Sequence, residues 1–173
     1  MDNRSDITGV ILAGGRSSRM GRNKALLEYQ GRPLVEYMHD LLKNSGIRAV
    51  LISGQVEGYE CVEDYKPFSG PAAAIMSVMN RCPGSAGFLC MPVDMPLLTP
   101  EILDILLKCK NGGYFQGHRL PVFFVPPYRE STASSVREMI EDFGIAPVEL
   151  PEQYREKMKS FNTPEEWKDL TSR

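Results

Sequence analysis

Apolar positions along this chain fall into two kinds of run, and their alternation sets out an architecture. Residues 8–12 (TGVIL), 48–53 (RAVLIS) and 86–91 (AGFLCM) are short, largely apolar runs, which predicts buried strands. Between the first two, Leu34, Val35, Met38, Leu41 and Leu42 recur at helical spacing over 34–44, and Ser45-Gly46 ends that helix. Strand, helix and strand in this order make a βαβ unit, hence a parallel sheet with a right-handed crossover. Residues 59–63 predict another short strand, and Gly70-Pro71 introduces a helix over 72–80, with Pro71 suited to its first turn. A helix over 100–110 follows, with Thr99 as N-cap, Pro100 at its first position and Gly112-Gly113 past its end. Residues 114–115 and 120–125 read as a hairpin-like pair around Gln116-Gly117. A helix over 134–143 closed by Gly144, a strand at 147–150 and a helix over 164–170 capped by Thr163 complete the pattern. Residues 1–6 are polar and predict a loose leader. With no repeat or linker between these elements, residues 1–173 predict a single three-layer α/β domain on a mostly parallel sheet.

Composition narrows the field more than it widens it. A chain of 173 residues can bury a core without disulfides. Its formal charge of −2 argues against a general nucleic-acid binder. Cys61, Cys82, Cys90 and Cys109 lack C-x-x-C spacing, and His39 and His118 are the only histidines, which argues against structural zinc. No secretory signal opens the chain, so reduced thiols and a cytoplasmic location are expected. No apolar stretch approaches the roughly 20 residues of a membrane helix, so no membrane partner is expected either.

The chemistry concentrates at 8–24 (TGVILAGGRSSRMGRNK). After the strand, Ala13, Gly14 and Gly15 remove side-chain bulk where the chain must turn, so a ligand can approach the backbone. Arg16, Arg19, Arg22 and Lys24 follow with no acid among them. Backbone N–H groups and fixed positive charge at a strand end suit a nucleoside triphosphate. The glycines fit neither G-x-x-x-x-G-K-[ST] nor G-x-G-x-x-G, and a glycine turn followed by a solvated basic face is the plainer alternative. Ligands of open parallel sheets bind beyond the carboxyl ends of the strands, and Gly14-Gly15, Ser53-Gly54 and Asp94 each follow such an end. Asp94 lies between Pro92 and Pro96, a stiff turn in which its carboxylate suits Mg²⁺, though an Asp also serves such turns by accepting hydrogen bonds.

Leu12-Ala13-Gly14-Gly15, Ser18-Arg19-Met20-Gly21 and Lys24 resemble the nucleotidyltransferase signature L-A-[GA]-G-x-[SG]-x-R-M-G-x-[DN]-K. Together with KALLEYQGRP, Glu63-Asp64, Ser69-Gly70-Pro71, Pro92-Val93-Asp94-Met95-Pro96 and Phe161-Asn162-Thr163-Pro164-Glu165, the chain resembles the molybdenum cofactor guanylyltransferases (MobA-type) nearly end to end. That resemblance implies a Rossmann-like nucleotidyltransferase domain. It implies transfer of GMP from GTP to the terminal phosphate of molybdopterin, with release of pyrophosphate and Mg²⁺ as cofactor. Arg19, Lys24 and Asp94 would be catalytic, and Asp94 would hold the metal. Leu12, Ala13, Gly14, Gly15, Lys24, Ser53, Asp64, Gly70, Pro71 and Asp94 would line the nucleotide. Arg119, Pro121 and Asn162 would face the second substrate. Beyond GTP and molybdopterin, transient contact with cofactor-biosynthesis proteins or apo-molybdoenzymes is implied.

Three positions depart from the family pattern: Ser53 replaces Asn, Ala74 replaces the glycine of G-P-L-A-G, and Ser160 replaces an earlier Asn. They leave open a cytidylyl- or sugar-nucleotidyltransferase of the same fold, or an accessory protein that binds nucleotide or molybdopterin with little turnover.

Overall fold

In the computed structural model, which describes residues 4–14, 20–63 and 70–172, the first apolar run becomes the middle of the parallel sheet. Every residue of β1 (Ile7–Leu12) is buried. It runs parallel to β4 (Ala49–Ser53) on one side and to β6 (Gly87–Pro92) on the other. The helix α1 (Leu34–Asn44) carries the chain from β1 toward β4. Beyond β4 lies β5 (Cys61–Val62), and α2 (Gly70–Arg81) brings the chain back across β1 to β6. The order of strands therefore reverses about β1. On the far side of β6 lie β8 (Val122–Phe124), β7 (Gly113–Phe115) and β9 (Pro147–Val148), giving the order β5-β4-β1-β6-β8-β7-β9. Only β8 runs against the rest, antiparallel to both β6 and β7.

The period-two alternation of a strand sends successive side chains to opposite faces, and two cores follow from it. Ile11, Leu89 and Met91 point to one face, against Val35, Met38 and Leu42 of α1 and Leu103 and Leu106 of α3 (Pro100–Leu107). Val10, Leu12, Phe88 and Cys90 point to the other, against Ile75 and Val78 of α2 and Met139 of α4 (Val136–Asp142). Helices on both faces of a mostly parallel sheet are the three layers that the sequence predicts. Among the described residues, no helix is long and apolar enough to cross a membrane.

Several boundaries shift for local reasons. The helix expected to reach residue 110 stops at Leu107: Cys109 N–H turns back to Leu106 O and Gly112 N–H to Cys109 O, so the last residues unwind into successive turns. The expected leader is not loose over its second half. Arg4–Asp6 is a 3-10 turn whose Arg4 pairs with Asp104 of α3 and donates to Ser45 O (3.2 Å), next to the end of α1. Helix ends leave carbonyls in need of donors, and a guanidinium has donors for carbonyl and carboxylate together. Lys108 and Arg4 hold the Asp104 carboxyl below its ordinary range.

Several short elements are absent from the expectation. Lys24–Leu26 forms a 3-10 turn, and β2 (Glu28–Tyr29) pairs with β3 (Arg32–Pro33) across a tight turn at Gln30 (φ 52°) and Gly31 (φ 80°). The last helix, α5 (Pro164–Thr171), returns the chain to this region.

Candidate active site

At the carboxyl edge of the sheet, pairing continues past the strand ends. Ala13 N–H donates to Ser53 O (2.9 Å), and Val93 N–H donates to Leu12 O (3.1 Å). The segments after β4, β1 and β6 are thereby laced side by side. Gly54 makes this approach possible: at φ +122° an added Cβ would lie 2.6 Å from Gly14 N and 2.8 Å from Gly14 Cα. Nothing larger than glycine fits between these two backbones.

Lys24 reaches the same edge from the adjacent 3-10 turn. Asn23 caps that turn: its side chain accepts from Ala25 N–H (3.0 Å) and donates to Gln55 O (3.1 Å), tying the turn to the loop after β4. Lys24 Nζ then donates to Asp94 Oδ2 (2.8 Å), Phe161 O (2.6 Å) and Asn162 Oδ1 (3.1 Å). It also lies 5.1 Å from the centroid of the Phe161 ring. An ammonium has three N–H donors, and here three oxygens take them. The Lys24 and Asp94 side chains are only 15% and 21% exposed, so water screens this charge-assisted pair less than it would a surface pair.

The C-terminal segment closes the cluster. Phe161 N–H donates to Asp94 O (3.2 Å), so its main chain holds the acid's loop while its carbonyl holds Lys24. Its buried ring packs on Trp167 with centroids 4.5 Å apart, and Trp167 packs on Tyr29, 5.8 Å away. Thr163 Oγ1 accepts from Glu166 N–H (3.2 Å) as the expected cap, and Glu166 Oε2 accepts from Asn162 N–H (2.5 Å). These bonds fix the backbone from which the Asn162 amide reaches Lys24.

Lys24, Asp94 and Asn162 are thus in direct contact, and Leu12, Ala13, Gly14 and Ser53 line the adjoining strand ends. Gly70 (φ +87°) and Pro71 open α2, the helix that returns from β5. Arg119 is exposed and Pro121 buried, in the turn before β8. Because β8 opposes β6, with Val122 beside Cys90, that turn flanks the same carboxyl edge. Gly15, Arg16, Arg19 and Asp64 lie outside the described residues; Arg22 is exposed. The Phe161 carbonyl was not foreseen, since a backbone acceptor leaves no mark in a side-chain pattern. The cap at Asn23 had a signal, an Asn directly before Lys24-Ala25-Leu26.

A carboxylate, an amide oxygen and a main-chain carbonyl converge on one cationic nitrogen. Hard oxygen donors of this kind suit Mg²⁺, which commonly takes one or two protein carboxylates and completes its shell with substrate phosphates and water. Among the described residues no three His, Cys, Asp or Glu side chains gather into a metal cluster; Asp94 contributes the carboxylate of this convergence.

Known proteins share both sequence and fold. The family model for the MobA-like NTP transferase domain matches residues 9–156. A molybdenum cofactor guanylyltransferase of Xanthomonas euvesicatoria is 34% identical, over 94% of this chain and 93% of its own length. Rv0371c of Mycobacterium tuberculosis superposes with a TM-score of 0.69 at 21% identity, covering 96% of this chain and 98% of its own. Molybdopterin-guanine dinucleotide biosynthesis protein A of Archaeoglobus fulgidus superposes at 0.64 with 20% identity, covering 95% and 97%. Likeness at that identity speaks for the fold; the family model and the Xanthomonas relative go further, and by them this chain belongs to the MobA-like NTP transferase family.

Proposed function

We propose that this protein transfers GMP from GTP to the terminal phosphate of molybdopterin, forming the guanine dinucleotide and releasing pyrophosphate. The contact of Lys24, Asp94 and Asn162 beside the Gly14–Gly54 backbone crossing carries this reading. A molybdopterin phosphate oxygen attacks the α-phosphorus of GTP, the bond from that phosphorus to the β-phosphate bridging oxygen breaks, and pyrophosphate leaves with the electron pair. The attacking phosphate monoester is already anionic near neutral pH, so no protein nucleophile is required. Bound at Asp94, Mg²⁺ would neutralise phosphate charge and orient the triphosphate. Lys24 supplies a compact positive charge to the departing pyrophosphate, and Arg19, by the family signature, a forked one.

Leu12, Ala13 and Gly14 offer main-chain atoms to the nucleoside beside Ser53, with Gly70-Pro71 at the start of α2; by the family resemblance Gly15 and Asp64 also bind it. Arg119, Pro121 and Asn162 face the pterin. The Xanthomonas relative's name supports guanine over cytosine. The thiols of Cys61, Cys82, Cys90 and Cys109 are free, which fits a cytoplasmic enzyme.

Pyrophosphate release from GTP, CTP and ATP, each with Mg²⁺ and molybdopterin, tests the proposal. Preferential use of GTP is expected. Equal use of CTP would refute the choice of guanine, and GTP binding without release would favour the accessory-protein reading.

A further inference from the structure

The Lys24 ammonium occupies the position that the oxygen donors of this site would offer a metal. All three of its N–H donors are taken, by Asp94 Oδ2, Phe161 O and Asn162 Oδ1. A phosphate can gain this lysine only if one of those bonds breaks. A divalent cation can gain Asp94 only by displacing or crowding the ammonium on the same carboxylate. With both side chains mostly withdrawn from water, two cations side by side here would repel strongly.

We infer that in the nucleotide-free protein Lys24 acts as the resident cation of Asp94, so that a divalent ion reaches Asp94 only together with a triphosphate. This rests on the reading of Asp94 as the metal carboxylate. A lone divalent ion would leave the ammonium held by two neutral oxygens next to a double positive charge. A triphosphate removes that difficulty, because its anionic oxygens take the ammonium as the carboxylate is released. Metal and nucleotide therefore bind with positive coupling, which by linkage is the same in either order. Until then the acid is neutralised and the C-terminal segment stays clasped to the site through Phe161.

The protein contains its own reporter. Trp167 is the only tryptophan in the chain. Its ring lies 4.5 Å from that of Phe161, whose face is 5.1 Å from Lys24 Nζ. Departure of the ammonium changes the field and packing around that pair.

The test titrates Mn²⁺ alone, followed by the electron paramagnetic resonance of the free ion, into the nucleotide-free wild type, Lys24→Met and the double variant Lys24→Met/Asp94→Asn. Lys24→Met is expected to bind Mn²⁺ at least about tenfold more tightly than wild type, and the double variant to lose that gain. In the wild type, Trp167 emission should shift with Mg²⁺ plus GTP and stay unchanged with Mg²⁺ alone. Wild type binding Mn²⁺ as tightly as Lys24→Met overturns the inference. So does an equal Trp167 response to Mg²⁺ with and without GTP, a readout that stands even if Lys24→Met does not fold. If the double variant keeps the gain, Asp94 is not the metal carboxylate, and the underlying reading of the site fails instead.

Discussion

Replacing Gly54 by alanine probes the crossing on which the nucleotide edge is built. Two separate costs arise. A side chain at φ +122° is conformationally strained, which costs on the order of 1–3 kcal/mol. The added methyl would also lie 2.6 Å from Gly14 N, 2.8 Å from Gly14 Cα and 3.0 Å from Ala13 C. Those atoms are all main chain and cannot swing aside, so relief requires parting the loops, at a further cost of roughly 1–3 kcal/mol. The sum is about 2–6 kcal/mol, and at about 2–4 °C per kcal/mol for a chain of this size the melting temperature should fall by at least about 4 °C. Gly58→Ala serves as a reference for a positive-φ glycine without the contact: its φ is +85°, nearer the left-handed well, and nothing lies within 4 Å of the added carbon. Urea unfolding of both variants gives the difference, and GTP titration calorimetry reports whether the shifted Gly14 weakens binding. A Gly54→Ala stability within about 0.5 kcal/mol of Gly58→Ala, the ordinary scatter of neutral substitutions, would refute the claim that backbone contact confines this position to glycine.

Asp94→Asn keeps the shape of the turn and the bond from Phe161 N–H but removes the charge, so turnover should fall by orders of magnitude with the fold intact; wild-type turnover at ordinary Mg²⁺ sinks the assignment. Lys24→Ala should lower kcat more than it raises KM, because only stabilisation specific to the transition state accelerates the step; a change confined to KM marks a ground-state contact instead. Burial pushes the Tyr128 hydroxyl from 10.0 up to about 12. The stability it contributes is fully present below pH about 10 and is lost as pH rises through about 12, so the wild type should weaken more steeply than Tyr128→Phe over that window; parallel curves would count against it. Cys90 is fully buried, and its thiol is pushed well above the ordinary range, so a thiol reagent at neutral pH should leave it unlabelled until the chain is denatured. Mass spectrometry of the labelled chain reads this directly, and rapid labelling of the folded protein would contradict it.

The sequence by itself determined the layers of this protein. Leu34–Asn44 forms as a helix because five apolar residues share one stripe, and β1 and β6 form as buried strands because apolar side chains occupy both faces; β4, expected to be buried as well, is buried only at Ile52 and Ser53, because it lies toward the edge of the sheet with only the two-residue β5 beyond it. Such signals are local in range and strong in amplitude. The hairpin at 28–33 escaped because two-residue strands are too short to establish a period, and the 3-10 segment Glu152–Met158 because Met158 alone of its seven residues is buried, leaving no apolar stripe. The family resemblance also marked Lys24, Asp94 and Asn162, each at its own place in the chain. That all three touch was a matter for the tertiary structure alone. Lys24 finds Asp94 across 70 positions and Phe161 across 137, after the order of strands has reversed about β1 and α5 has docked through Trp167. A side-chain pattern records which face of an element is apolar. It does not record which loops the sheet order brings together, nor that a main-chain carbonyl at Phe161 and the bare backbone of Gly54 complete the site.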